Sequence, residues 1–272
     1  MRRIIAVLTS ALVLMLLAPT AGAQAGATVM LLHGIPGVTV DVYVDGGAVI
    51  EGFEPGAMQD LSSFAGATLE NVAVVPAGGD PTTDAVIEVP SLAVPSSGNW
   101  TVVAHLDAAG TPTITPFQND VSTIAAGQGR ITVRHTAQAP AVDIVVGDAR
   151  PFTNLSNPHE VVADLPAGPL PASIAAAGGD VLASVADILG AEPSVTAGVN
   201  TILYAVGSLS GDSFTLYVQT IGGLGAAPAA VPTGNTPVSN SADVAAWAAV
   251  AAGTALLGAV ALRSRRPAVI DA

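Results

Sequence analysis

This chain carries one pattern twice, so any fold proposed for it has to serve both copies. His33 to Gly46 reads HGIPGVTVDVYVDG, and His135 to Asp148 reads HTAQAPAVDIVVGD. His33 aligns with His135, Val40-Asp41-Val42 with Val142-Asp143-Ile144, and Val44 with Val146, all at an offset of 102. Ala77-Gly78-Gly79-Asp80 aligns with Ala177-Gly178-Gly179-Asp180 at an offset of 100. Thr101-Val102-Val103 aligns with Thr201-Ile202-Leu203 at that same offset. Kept order with so small a drift marks a tandem duplication, with units at 27–127 and 128–225.

The repeated segment has a period of two. Val40, Val42 and Val44 alternate with Asp41, Tyr43 and Asp45, which is the pattern of a half-buried strand. Asp45-Gly46-Gly47 then predicts a hairpin turn. Further strands are expected at Val29–His33, Val72–Val75, Val86–Val89, Trp100–Leu106 and Thr113–Phe117. The second unit offers Ile131–His135, Val142–Val146, Val161–Asp164, Ala172–Ala176, Thr201–Val206 and Phe214–Gln219. Val181–Leu189 reads equally as strand or short helix. Six or seven short strands per unit predict an all-β chain of two tandem immunoglobulin-like β-sandwich domains.

The segments HGIPGVTVDVYVDGGAVIEGF, VVPAGG and VRHTAQAPAVDIVVGD resemble the DUF4397 family, bacterial exported domains of uncharacterised function. That family often carries a pattern near His-Ala-Ser-Pro-x-Ala-Pro-x-Val-Asp-Val-Tyr-x-Asp-Gly. The resemblance extends over most of both units. The first copy departs from it at Gly34-Ile35-Pro36-Gly37, and the second at Val145-Val146-Gly147, where the Tyr and the Asp-Gly turn are lost. It implies a β-sandwich at the cell surface and brings no catalytic residues with it.

Both ends of the chain read as membrane-directed. Arg2 and Arg3, the apolar run Ile4–Ala18 and Ala21-Gly22-Ala23 make residues 1–23 a signal peptide, cleaved after Ala23 or alternatively Ala25. Val244–Leu262 has 19 residues without a charge; as a helix they would run about 28 Å, close to the hydrocarbon thickness. Arg263, Arg265 and Arg266 follow. The expectation is a transmembrane helix at 244–262 with a cytoplasmic basic tail at 263–272, the body facing outward. Residues 226–243, rich in Pro, Ala and Thr, read as a semi-extended stalk. Ala230-Val231-Pro232-Thr233-Gly234 has the layout of a sortase signal without its Leu-Pro-x-Thr-Gly, so wall attachment stands as the alternative to a plain anchor.

Charge and composition narrow the function. There is no cysteine and no lysine, so the fold has to stand without disulfides or thiolate metal sites. The abundance of Ala, Gly, Val and Pro without Lys suggests a high-GC bacterial source. Between Gln24 and Ala242 stand 19 Asp and Glu against three Arg, a balance of −16. Such a surface repels nucleic acid and anionic lipid. An envelope component or protein remains as the expected partner.

His33-Gly34 after an apolar run suggests the oxyanion turn of an α/β-hydrolase, but the duplication speaks against it, since His135 is followed by Thr136 and Ala137. The nearest string to a nucleophile elbow, Gly207-Ser208-Leu209-Ser210-Gly211, has leucine where the serine belongs. His159 is the last histidine, so a Ser–acid–His order fails as well.

No catalytic, cofactor-binding or metal residues are assigned. The recurrent polar pairs His33 with Asp41 and His135 with Asp143 are expected to be structural. Either each pair shares a hydrogen bond, or each member satisfies backbone groups at the loop between them. His105 and His159 are read as structural or surface residues, and Trp100 and Phe117 as core. Calcium at Asp41, Asp45, Asp80 and Asp84 is the one cofactor alternative, without an EF-hand string to support it. The expected role is a non-enzymatic envelope module for structure or binding. The alternatives are an accessory protein of an envelope carbohydrate-active or hydrolytic system, or a calcium-stabilised spacer.

Overall fold

The computed structural model describes residues 26–226, whose secondary structure is almost entirely β. The signal peptide, the transmembrane helix, the basic tail and all but the first residue of the stalk lie outside the described residues. Among the described residues no helix is long and apolar enough to cross a membrane.

The first half contributes β1 (Thr28–His33), β2 (Val40–Val44), β3 (Gly47–Phe53), β4 (Met58–Asp60), β5 (Thr68–Pro76), β6 (Ile87–Ala93), β7 (Asn99–Leu106) and β8 (Pro112–Gln118). The second contributes β9 (Gln128–His135), β10 (Val142–Val146), β11 (Ala149–Leu155), β12 (Glu160–Pro166), β13 (Gly168–Pro169), β14 (Ala172–Ala176), β15 (Val181–Ser184), helix α1 (Val185–Leu189), β16 (Ser194–Val195), β17 (Asn200–Val206) and β18 (Thr215–Ile221). Each half builds two four-stranded sheets, β4-β1-β7-β8 with β3-β2-β5-β6, and β12-β9-β17-β18 with β11-β10-β14-β15. The inward residues of each sheet pair make a separate core. Val29, Leu31, Val102 and Ala104 meet Val42, Phe53 and Val74 in the first half. Ile131, Leu203 and Ala205 meet Val142, Leu155 and Ile174 in the second.

A third core lies between the halves. Leu32, Val103 and Phe117 pack against Ile202, Tyr204 and Val206. In β7 and β17 alternate side chains therefore serve two cores, and these strands are covered on both faces. Each pairs in parallel with the first strand of its own half, β7 with β1 and β17 with β9. Parallel strands buried on both faces read as apolar runs rather than as clean alternation, which describes Trp100–Leu106 and Thr201–Val206.

Strand pairing corrects one alignment. β1 places His33 opposite Ala104, and β9 places His135 opposite Ala205, so β7 and β17 correspond at an offset of 101 and not 100. Val102 then matches Leu203, both turned into their own half, and Val103 matches Tyr204, both at the seam. A one-residue slip would exchange every side chain between faces. The Thr101–Thr201 match in the sequence was coincidental.

The expected strands all form, and β3, β4, β11, β13 and β16 form beside them. β3 and β11 have mostly exposed side chains, so no hydrophobic alternation marks them. Val181–Leu189 is both things in turn, β15 and then α1, with the Ser184 hydroxyl accepting from the Asp187 N–H at 3.0 Å and Gly190 closing the helix at φ 70°. The β2–β3 turn has positive φ at both Asp45 and Gly46, the type I′ arrangement. In the second half only Gly147 is positive, placing glycine first as a type II′ turn requires, so a hairpin survives the loss of Asp-Gly.

Because the seam is as dry as either core, the halves are expected to melt together. Ile202 is fully buried there, and Ile202→Ala should cost about 2–5 kcal/mol. Calorimetry should show one transition moved down as a whole. Two transitions of which only one moves would mean that the halves unfold independently.

Candidate functional site

The recurrent aspartates sit where the sheets are irregular. The β2–β3 register shifts between Val40/Phe53 and Val42/Ile50, and the β10–β11 register between Val142/Leu155 and Ile144/Phe152. Each shift is a bulge on the outer strand, which leaves a backbone N–H without its ladder partner. Gly52 and Asn154 occupy the bulges at φ 64° and 56°, a left-handed conformation that glycine and asparagine tolerate best. The Gly52 N–H donates to Asp41 Oδ1 at 2.7 Å, and the Asn154 N–H to Asp143 Oδ1 at 2.8 Å. The second oxygen of each carboxylate accepts from a glycine beyond β5 or β14, Gly78 at 2.8 Å and Gly178 at 3.0 Å. One buried side chain thus clamps a bulge on one neighbouring strand and the turn after the other. In the second half Arg150 adds an ion pair to Asp143 at 2.8 Å. The bonds from Gly78 and then Gly52 hold the Asp41 carboxyl below its ordinary range; those from Asn154 and then Gly178 do the same for Asp143.

The histidines do not bond these aspartates. His33 Nε2–H donates to the Val38 carbonyl at 2.8 Å and His135 Nε2–H to the Pro140 carbonyl at 3.1 Å, each pinning the loop that leads into the Asp-bearing strand. The expectation of backbone groups satisfied at the loop between His and Asp describes the histidines, while the aspartates bond backbone N–H groups outside that loop. His33 also receives the Ile35 N–H at Nδ1, at 3.4 Å, and stacks on Phe53 with centroids 5.4 Å apart. His135 Nδ1 has no partner. His105 is fully buried, bonded to the Leu106 carbonyl and the Thr115 hydroxyl, both at 2.8 Å. Burial pushes all three imidazoles below their ordinary value. His159 bonds Ser156 at the surface.

The remaining carboxylates singled out from the sequence are not gathered together. Asp45 accepts from the Asn71 side chain at 2.9 Å, while Asp80 and Asp84 close their own turn through Thr82 and the Asp80 N–H. Among the described residues no group of three His, Cys, Asp or Glu side chains is placed to hold a metal ion.

Sequence reasoning missed the polar part of the seam. Arg134 is fully buried, with Nε donating to Glu160 at 2.7 Å and Nη1 to the Tyr204 hydroxyl at 2.8 Å. Its guanidinium lies 4.6 Å from the ring centre of Phe117, which belongs to the other half. Gln219 Oε1 accepts from both the Tyr204 hydroxyl and Thr101 Oγ1, and Thr101 is likewise across the seam. The Asn157 amide donates to the carbonyls of Leu106 and Ala137, one in each half. Arg130 is held bidentately by Asp164 and also paired with Asp120 at 2.8 Å. All three described arginines are therefore committed to carboxylates. Phe117 lies in the seam and Trp100 packs against the first core.

The two halves differ most in their interiors. The space between the sheets is about 250 Å³ in the first half and about 850 Å³ in the second. The larger cavity is walled by apolar side chains such as Ile131, Ile174 and Leu203, and His135 also lines it.

Residues 27–145 match the family model described as a domain of unknown function, DUF4397. The match covers the first half and continues through β9 and most of β10. No curated protein matches the chain.

Two measurements follow from the clamps and the histidines. Asp41→Ala strands two N–H groups and should cost about 1–3 kcal/mol for each, read as a lowered urea midpoint. The depressed imidazoles mean that below about pH 6.5 the folded chain binds fewer protons than the unfolded chain, so stability should fall as pH falls through that range. The depressed aspartates add a further loss below about pH 3.8. Calorimetry in buffers of different ionisation enthalpy should register proton uptake on unfolding near pH 6, and its absence would contradict the neutral buried histidines.

Proposed function

We propose that this chain is a non-enzymatic surface protein of the cell envelope, in which two immunoglobulin-like β-sandwich modules serve structural or binding roles outside the membrane. The observation that carries this reading is the employment of the recurrent polar groups. His33, Asp41, His135 and Asp143, the residues a duplicated active site would have kept, bond backbone atoms that lock loops and bulges. A nucleophile or proton-transfer group has to face a substrate with a free valence; His33, Asp41 and Asp143 spend theirs inside the fold, and of the four only His135 keeps a ring nitrogen, Nδ1, unbonded. The leader-like residues 1–23, the apolar run 244–262 and the family resemblance support an exported, anchored protein.

In this reading, recognition belongs to the second half, whose interior space is more than three times that of the first. The two copies share a scaffold and divide the work, so avidity between identical sites is not expected.

Co-sedimentation of residues 26–226 with insoluble Gram-positive envelope tests the binding role. Saturable pelleting should survive a calcium chelator, because Asp41 already gives both its oxygens to backbone N–H groups. No pelleting would overturn envelope binding, and pelleting abolished by the chelator would favour a calcium-dependent contact instead.

A further inference from the structure

We propose that the interior of the second half is a binding site for a neutral single-chain lipid, of the class of a monoacylglycerol or a long-chain alcohol. The inference rests on reading that half as the binding module.

Protein interiors are packed to crystal density, with few voids larger than a water molecule. A dry space left in a core costs stability in proportion to its volume. The first half supplies the internal comparison, since its strands correspond to those of the second through equivalent pairings. Leu61 follows β4, whose Asp60 lies opposite Met30, as Ala163 follows Val162 opposite Thr132. Trp100 is opposite Val29 as Thr201 is opposite Ile131. Phe53 is opposite Val40 as Leu155 is opposite Val142. Val72 lies two residues before Val74, the partner of Val42, as Ala172 lies two before Ile174, the partner of Ile144. At all four positions the second half has the smaller side chain, and all four line the space of about 850 Å³. Ile50 to Phe152, Val102 to Leu203, and Val29, Val42 and Val74 to Ile131, Ile144 and Ile174 run the other way, but each adds about one methylene or less than a ring, and together they do not refill it.

The shape and chemistry of the space select the ligand. Thr196 and Thr220 are exposed and Thr201 half-buried at one end, while Ala205 and His135 are buried at the other. From Ile131 to His135 the strand advances about 13 Å. That makes an apolar space, partly open to solvent, with hydroxyl groups at its exposed end, suited to one aliphatic chain and a small polar head. No arginine lines it, and Arg130, Arg134 and Arg150 are each paired with carboxylates. A carboxylate or phosphate head would find no counter-charge and would meet the field of an acidic surface, so an uncharged head is favoured.

The test uses the full chain in membranes and a diazirine-bearing monoacylglycerol, with labelled peptides located by mass spectrometry. Label is expected on peptides from β9, β14 and β17, displaced by excess monoolein and at least tenfold less sensitive to oleate. Thr201→Trp and Ala163→Leu, which restore first-half side chains, should each reduce labelling at least tenfold. Melting temperatures at or above wild type would show that both variants are folded. Label confined to residues 244–262, label unaffected by both variants, or displacement by oleate as effective as by monoolein would overturn the proposal. Envelope pelleting that persists with no interior label would remove the lipid and leave the binding module standing; loss of both would remove both.

Discussion

The dry seam between the two halves is the constraint on which the rest of the structure depends. By covering the outer faces of the β1–β7 and β9–β17 pairs, it turns what would be two half-solvated sandwiches into a stack with three apolar cores. That burial also sets the terms for the polar groups caught within it. Arg134 can be fully buried because the Glu160 carboxylate, the Tyr204 hydroxyl and the rings of Phe117 and Tyr204 surround it. Removing one partner of such a set leaves a charge without compensation, which costs far more than the intact set contributes. Register and orientation between the halves are thereby specified by polar contacts, while the apolar side chains supply most of the attraction.

The two halves share their clamps and differ in their interiors. A carboxylate that captures a bulge N–H and a turn N–H fixes three strands with one side chain, so its replacement would disturb both edges of the sheet. Interior positions behave differently, because apolar residues of different size are tolerated as long as the pattern holds. Asp41 and Asp143 accordingly do the same thing in both halves, while Thr201 stands where the first half has Trp100 and Ala163 where it has Leu61.

Most of the strand order could be read from alternation, turn residues and self-similarity, because each of those is local. The clamps were half legible: the His–Asp recurrence was visible, but a bulge leaves no mark on its partner strand, and nothing in Val-Asp-Val says that the carboxylate turns towards Gly52. The seam was hidden for a different reason. Arg130, Thr132 and Arg134 alternate with Ile131 and Val133, which is how a solvent-facing strand face is written, and only a second sheet laid over it buries those residues. Exposed edge strands such as β11 carry no hydrophobic signal at all. The unequal interiors required structural pairing, since the sequence alignment of β7 with β17 was one residue out.

The commitment of all three arginines has an outward consequence. With no lysine, and with Arg130 and Arg134 buried in ion pairs, the described body shows solvent a predominantly negative charge, Arg150 being an exposed cation paired with buried Asp143. Such an object carries a counterion cloud rather than discrete ion sites, about 8 Å deep at physiological salt. Copies crowded on one surface would hold each other apart like bristles, and the spacing between them would respond to the ionic strength of the medium before any partner arrived.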